Sequence, residues 1–416
     1  MIRHFIVLAF LSLVGDESLA AQTPTVTLDE ALRLFASNNL ELRLARSDAA
    51  QAAGIARQAG AFPNPSVNAT HEPLRRAGAS YSETYLTFSQ RFEVSGSRGA
   101  RSTAAERRFD AATLRLQADS IRLAYEVKRA FVEAARAQEM LEVTDRITEV
   151  FRTASDRAAE RYESGDLSLY ATRRIAVEHA RYETLLADAD LEVDERQSTL
   201  ALLISPEEAN LRIAATSLPA AMPPEVAENL RIATAAERRA ELAAAQAVAE
   251  AEAADARLSR GERVPDITAT GGFKRQSDGL RGAYLALSLP VPLFDRGRGA
   301  VEAAEAGAQG ARERLALTRR QIENDVVHAV DTYDRLRRRA DLALGREGEA
   351  GDLLDIALIA YDEGEMELVE LLDAADALYE ARRAATTLES SLWIAYFDLE
   401  RAVGGFDGAP AGEVEQ

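Results

Sequence analysis

Glu370 and Asp373 lie three residues apart inside "EMELVELLDAADALYEARR", a spacing that puts two carboxylates on one face of a helix. In a chain with 68 Asp and Glu against 49 Lys and Arg, such a pair reads most simply as a solvated acidic face. Catalytic chemistry finds less support. The four histidines, His4, His71, His179 and His328, are scattered, and none sits at a metal-ligand spacing from another. There is no phosphate-binding glycine loop, no Gly-x-Ser-x-Gly elbow and no carboxylate pair with supporting residues. The chain is therefore read as a non-enzyme with no catalytic residue, no resident metal and no cofactor.

The 416 residues are 47% hydrophobic and carry a formal net charge of −19. That balance repels nucleic acid. Cysteine is absent, which excludes disulfides, thiolate ligands, cysteine nucleophiles and lipid attachment to a cysteine of this sequence. Met1-Ile-Arg-His4 precedes an apolar run from Phe5 to Gly15 and the small-residue site Ser18-Leu19-Ala20, which reads as a cleavable secretory signal over residues 1–20. No later segment has the run of about 18 apolar residues that a transmembrane helix requires.

What could position the acidic pair is a set of very long helices. No proline occurs between Pro73 and Pro206, or between Pro292 and Pro410, and no glycine between Gly99 and Gly165. Leu116, Leu123, Val127, Ala130 and Ala134 step through the first of these stretches at helical spacing. Its alanine-rich stripe favours close, coiled-coil-like contact, and Gly165-Asp166 turns the chain back into an antiparallel partner helix.

The pattern occurs twice. Pro65-Ser66-Val67 returns as Pro265-Asp266-Ile267, Arg98-Gly99-Ala100 as Arg298-Gly299-Ala300, and Tyr162-x-x-Gly165 as Tyr361-x-x-Gly364, at offsets of about 200. Each half contains a helix, two extended segments, a long helix, a turn and a returning helix. The extended segments alternate: Leu86, Phe88, Phe92 and Val94 share one face, and Leu285, Leu287, Leu289, Val291 and Leu293 share another. An isolated case would be a strand half-buried in a soluble sheet. An exported chain with no apolar mass to cover such strands points instead to a lipid-facing barrel. Four strands are too few to close one, so several copies must combine.

The lines "TVTLDEALRLFASNNLEL", "QAGAFPNPSV", "YLTFSQRFEVSGSRGAR", "LSLPVPLFDRGRGA", "RYESGDLSLY" and "AYDEGEMELVELLDAADALYEAR" resemble the TolC family of outer-membrane efflux proteins. The resemblance is strongest to its CzcC-type branch, which serves heavy-metal efflux by pumps of the resistance-nodulation-division (RND) type. It implies a mainly α protein with a membrane β-barrel: a homotrimer with a twelve-stranded barrel in outer-membrane lipid and a periplasmic tunnel of α-helices. It further implies a periplasmic membrane-fusion adaptor and, through it, an inner-membrane RND pump as partners. Cargo would be heavy-metal cations or drugs. A type I protein-secretion duct and a soluble periplasmic coiled-coil scaffold stand as alternatives.

On this reading residues 21–204 form the first repeat, with helix 28–60, strands 64–74 and 81–94, long helix 98–163 and return helix 167–203. Residues 205–225 form an equatorial linker. Residues 226–405 form the second repeat, with helix 226–260, strands 265–275 and 282–294, long helix 298–362 and return helix 366–403, before a disordered tail over 406–416. The resemblance places Glu370, Asp373 and Tyr361 at a periplasmic constriction, where a three-fold axis would turn each acid into a ring. It places Gly165, Asp166, Leu167, Ser168, Gly364, Glu365, Met366 and Glu367 at adaptor-docking tips. Met366 stands where the family's closing network has a basic residue. Leu86, Phe88, Leu285 and Leu287 are the expected lipid-facing positions.

Overall fold

The computed structural model describes residues 25–76, 79–205, 214–215, 217–218, 222–224, 232–343 and 347–405. The signal at 1–20, the tail at 406–416 and most of the linker at 205–225 lie outside the described residues. The first half begins with β1 (Thr25–Val26), α1 (Leu28–Asn38) and α2 (Leu40–Ala59). It continues through β2 (Ser66–Arg76), β3 (Ala79–Phe92), α3 (Ser97–Glu163) and α4 (Leu169–Ile204). After β4 (Ala214–Ala215), the second half runs through α5 (Ile232–Arg238), α6 (Ala240–Gly261), β5 (Ile267–Gln276) and β6 (Arg281–Ser288). It ends with α7 (Arg298–Ala343), α8 (Glu347–Glu363) and α9 (Leu368–Ala402).

The 67 residues of α3 give a rod of roughly 100 Å. Propensity alone does not hold such a helix. Ala111, Ala118, Leu123, Val127, Ala130, Phe131 and Ala134 are buried along it, against α2, α4, α6 and α9. Three apolar clusters follow one another through the helices. One gathers β1, α1 and the middle of α3 with the end of α4, and a second joins α5 and α6 to α7 and α9. The third joins α3 and α4 to α8 and α9 beside the hairpin turns. Among the described residues no helix is long and apolar enough to cross a membrane.

Two expected helices are each two. The segment expected as helix 28–60 breaks at Asn39, whose backbone is extended at φ −61°, ψ 126°. Its side chain accepts from Leu42 N–H at 2.9 Å and donates to Leu203 O at 3.0 Å, so Asn39 caps α2 and ties it to the end of α4. The segment expected as helix 226–260 breaks at Arg239, also extended at φ −70°, ψ 123°. Its guanidinium holds Glu241 at 2.9 and 2.6 Å and donates to Ala402 O at 3.1 Å, at the end of α9. The apolar period runs through both joints, and the break comes from the side chain that bridges to the return helix.

The extended segments form one antiparallel sheet in the order β2-β3-β5-β6, in which Phe88 pairs with Val67 and Gly271, and Gly271 with Leu285. The last strand, expected to reach residue 294, stops at Ser288. Pro290 and Pro292 have no N–H to donate, and the chain folds back with Leu293 N–H on Val291 O at 2.9 Å. Neighbouring glycines in β5 differ sharply. A Cβ on Gly271 would meet only Leu285 Cδ2 at 3.8 Å, whereas one on Gly272 would stand 2.3 Å from Leu86 O and 2.8 Å from Thr87 Cα.

Gly271→Ala is therefore expected to leave the thermal midpoint of the detergent-solubilised protein nearly unchanged. Gly272→Ala forces β3 and β5 apart and costs on the order of 2 kcal/mol. Equal midpoints for the two variants would contradict the pairing.

Candidate functional site at the open sheet and the hairpin tips

Register sorts the sheet into two unlike faces. Val67, Ala69, Leu86, Phe88, Ile267, Phe273, Leu285 and Leu287 share one face. Leu86, Phe88, Leu285 and Leu287 are 56%, 51%, 84% and 79% exposed, so no part of the described chain covers this oily surface. The other face is polar and internally bonded. Ser89 and Thr270 hydroxyls meet at 2.9 Å, Lys274 pairs with Glu83 at 2.8 Å, and the Tyr85 hydroxyl donates to Glu83 at 2.5 Å. The outer edges of β2 and β6 have no strand partner among the described residues. Arg101 holds Glu93 at 2.7 and 3.1 Å and donates to Ala59 O at 3.0 Å, fixing where β3 passes into α3.

At the far end of the helices the two turns are built alike. Gly165 and Gly364 have φ of 87° and 75°, a left-handed conformation that admits glycine without strain. Asp166 N–H reaches Arg161 O at 2.8 Å, and Glu365 N–H reaches Ala360 O at 2.9 Å. Ser168 caps α4 by accepting from Ala171 N–H at 3.2 Å. Asp166, Ser168, Glu365 and Glu367 are exposed, while Leu167 and Met366 are half-buried against the apolar cluster behind them. Each tip thus offers a polar loop pinned by one apolar side chain.

The three residues expected at a constriction differ in their surroundings. Glu370 and Asp373 are exposed, one turn apart on α9. Tyr361 is buried, packed in the cluster of Leu354, Ala357, Leu371 and Leu372. Glu370 also accepts the Glu367 N–H at 3.1 Å, so its carboxylate closes the first turn of α9. Among the described residues Asp373 has no ion-pair partner.

The more tightly built polar group lies one turn further on. Asp376 continues the three-residue spacing of Glu370 and Asp373, and it accepts from Tyr182 Oη at 2.7 Å and from Arg181 at 3.1 Å. Tyr182 is fully buried, stacked on Phe151 at 4.8 Å between ring centroids and edge-on to Tyr379 at 6.2 Å. Burial and then the Asp376 hydrogen bond push the tyrosine hydroxyl well above its ordinary value, so it stays a donor throughout the neutral range. This contact links the hairpin of the first half to that of the second. The sequence signal for it was a hydroxyl on a buried helical stripe, seven residues after Ile175.

Magnitudes separate the two partners of Asp376. The Arg181 pair is about half exposed on each side and contributes less than about 1 kcal/mol, whereas a buried hydroxyl bonded to a carboxylate contributes about 2 kcal/mol. Chemical denaturation of Tyr182→Phe is expected to show the larger loss and Arg181→Gln the smaller. Because the folded-state pKa is raised, the tyrosine's contribution is complete below about pH 10 and disappears as pH climbs through the raised value.

This architecture has known counterparts. The crystal structure of the Campylobacter jejuni CmeC outer membrane channel superposes with a TM-score of 0.78 at 17% identity, over 97% of this chain and 94% of that one. The CusC crystal structure gives 0.77 at 17% identity, over 92% and 94%. Among relatives, the cobalt-zinc-cadmium resistance protein CzcC of Cupriavidus metallidurans is 26% identical over 387 residues, 88% of this chain and 90% of that protein. The nickel and cobalt resistance protein CnrC of the same organism is 28% identical over 67% of this chain and 68% of that protein. The family described as outer membrane efflux protein matches twice, at residues 31–204 and 232–405, one match for each half of the element order. The chain belongs to that family, whose members are channel proteins and not enzymes.

Proposed function

We propose that this chain is the outer-membrane duct of a tripartite efflux system, passively conducting cargo that an RND pump and a periplasmic adaptor deliver. The observation that carries the reading is the four-stranded sheet, with one oily exposed face and two unpaired edges. In lipid such a sheet satisfies its backbone only by closing, and three copies supply a twelve-stranded barrel in the outer membrane. Leu86, Phe88, Leu285 and Leu287 then face lipid, and the polar face with Glu83, Tyr85 and Lys274 lines the lumen. The helices continue the wall into the periplasm for roughly 100 Å.

The tips at Gly165–Ser168 and Gly364–Glu367 are the adaptor-docking points, since they are exposed and end both hairpins. Glu370 and Asp373 form the constriction: exposed, adjacent and repeated around the axis, they make rings that favour cations. Tyr361 supports this constriction from the core behind it. Cargo of heavy-metal cations agrees with the acidic rings and with the metals named for the related proteins.

The test is single-channel conductance in a planar bilayer. Glu370→Gln keeps an acceptor for the Glu367 N–H while removing charge, so it is combined with Asp373→Asn. Wild type is expected to conduct, to prefer cations and to be blocked by divalent ions added at the periplasmic side. The double variant is expected to lose both the preference and the block. Unchanged selectivity would remove the two acids from the constriction, and a protein that stays soluble without detergent would favour a periplasmic scaffold.

A further inference from the structure

The oily face of the sheet changes character abruptly towards its hairpin turns. Four successive cross-strand rows are apolar or nearly so: Phe92 with Ile267, Gln90 with Ala269 and Leu287, Phe88 with Val67, Gly271 and Leu285, and Leu86 with Ala69, Phe273 and Ala283. At about 3.3 Å per residue these rows cover about 20 Å of strand. Exposed Leu289, Val291, Leu293 and Phe294 extend the band on the helix side. The next row away from the helices is His71, Thr84, Arg275 and Arg281, and Arg75 stands on the same face further along β2.

Nothing on this face neutralises the arginines. The strand positions that share it include no Asp or Glu: the acids of the strands, Glu72 and Glu83, fall on the opposite face, where Lys274 is paired with Glu83 at 2.8 Å. Arg75, Arg275 and Arg281 are exposed and form no ion pair among the described residues. Arg275 and Arg281 are moreover direct cross-strand partners, with β-carbons about 5 Å apart, an arrangement that is unfavourable for like charges unless an anion lies between them. An arginine costs little at the edge of a membrane band and much at its centre, so this row marks the interfacial level.

We infer that His71, Arg275 and Arg281, with Arg75 beside them, form an external seat for the phosphate groups of a phosphorylated outer-leaflet glycolipid. The inference rests on the barrel reading, which puts this face against lipid. Arg275 and Arg281, at one cross-strand position, supply two guanidinium groups whose N–H donors suit phosphate oxygens, and the apolar rows below them receive the acyl chains. Charge complementarity and direct continuity with the oily band select a lipid headgroup over free phosphate. The seat lies on the outside of the wall, apart from the polar face and the hairpin tips.

The experiment uses the full chain inserted into phosphatidylcholine vesicles doped with phosphorylated glycolipid, its dephosphorylated form or phosphatidylglycerol, followed by detergent extraction and quantification of retained lipid. Wild type is expected to enrich the phosphorylated glycolipid over the other two lipids. Arg275→Gln, Arg281→Gln is expected to lower that retention on the order of tenfold, and Arg275→Lys, Arg281→Lys to restore much of it. Equal retention by wild type and the Gln variant, equal enrichment of phosphatidylglycerol, or competition by inorganic phosphate alone would each overturn the seat. Insertion into undoped phosphatidylcholine is scored separately: failure there contradicts the barrel, whereas insertion without selective retention contradicts only the seat.

Discussion

A four-stranded sheet with two open edges and an uncovered apolar face governs everything else in this molecule. Unpaired edge groups are costly wherever water is absent, and an exposed oily surface is costly wherever water is present. Both costs vanish together when edges meet edges and the apolar face meets lipid. The helices are then obliged to leave the sheet on one side, because β2, β3, β5 and β6 all join their helices at the same end. The ion pair of Arg101 with Glu93 and that of Arg91 with Asp266 sit at this boundary.

The helical part solves a different problem, how to hold very long helices together with little core. Alanine at buried positions of α3 and α6 brings backbones close, and bulky side chains are concentrated in three clusters instead of a continuous centre. The two halves use unlike chemistry for like joints. Asn39 ties α2 to the end of α4 with amide hydrogen bonds, and Arg239 ties α6 to the end of α9 with a buried guanidinium balanced by Glu241. Within the hairpins, back from the tips, the halves are stitched by Tyr182 and Asp376, a contact between α4 and α9.

Much of this was legible in the residues. The absence of glycine and proline marks α3, and Thr27 and Glu30, three residues apart ahead of an apolar run, cap α1 with Glu30 N–H on Thr27 Oγ1 at 3.3 Å and Thr27 N–H on Glu30 Oε2 at 2.9 Å. Pro290 and Pro292 already carried the end of β6, although the alternation of leucine and valine ran past them. Asn39 is a good N-cap type placed before Leu40-Glu41-Leu42, so that break was readable. Arg239 is not a capping type, and its break depends on a carbonyl at the end of α9 that no local pattern reveals. The Tyr182–Asp376 contact was hidden for the same reason: each residue looks ordinary on its own helix, and only packing joins them. The resemblance placed Tyr361 with Glu370 and Asp373, and its burial in the cluster beyond the turn at Gly364, beside two exposed acids, is a difference that residue types alone do not carry.

Closure of several sheets into one barrel is the central claim, and the absence of native cysteine makes it directly testable. Within one chain Ser89 of β3 faces Thr270 of β5. Carrying that pairing across the offset of about 200 residues puts Ser288 of one copy opposite Thr70 of the next. A Thr70→Cys, Ser288→Cys chain, inserted into bilayers and mildly oxidised, then brings cysteines to disulfide distance across each shared edge. The account predicts a covalent trimer on denaturing gels, returned to monomer by reductant and missing from each single-cysteine variant. Oxidised, membrane-inserted protein that runs only as monomer would contradict it.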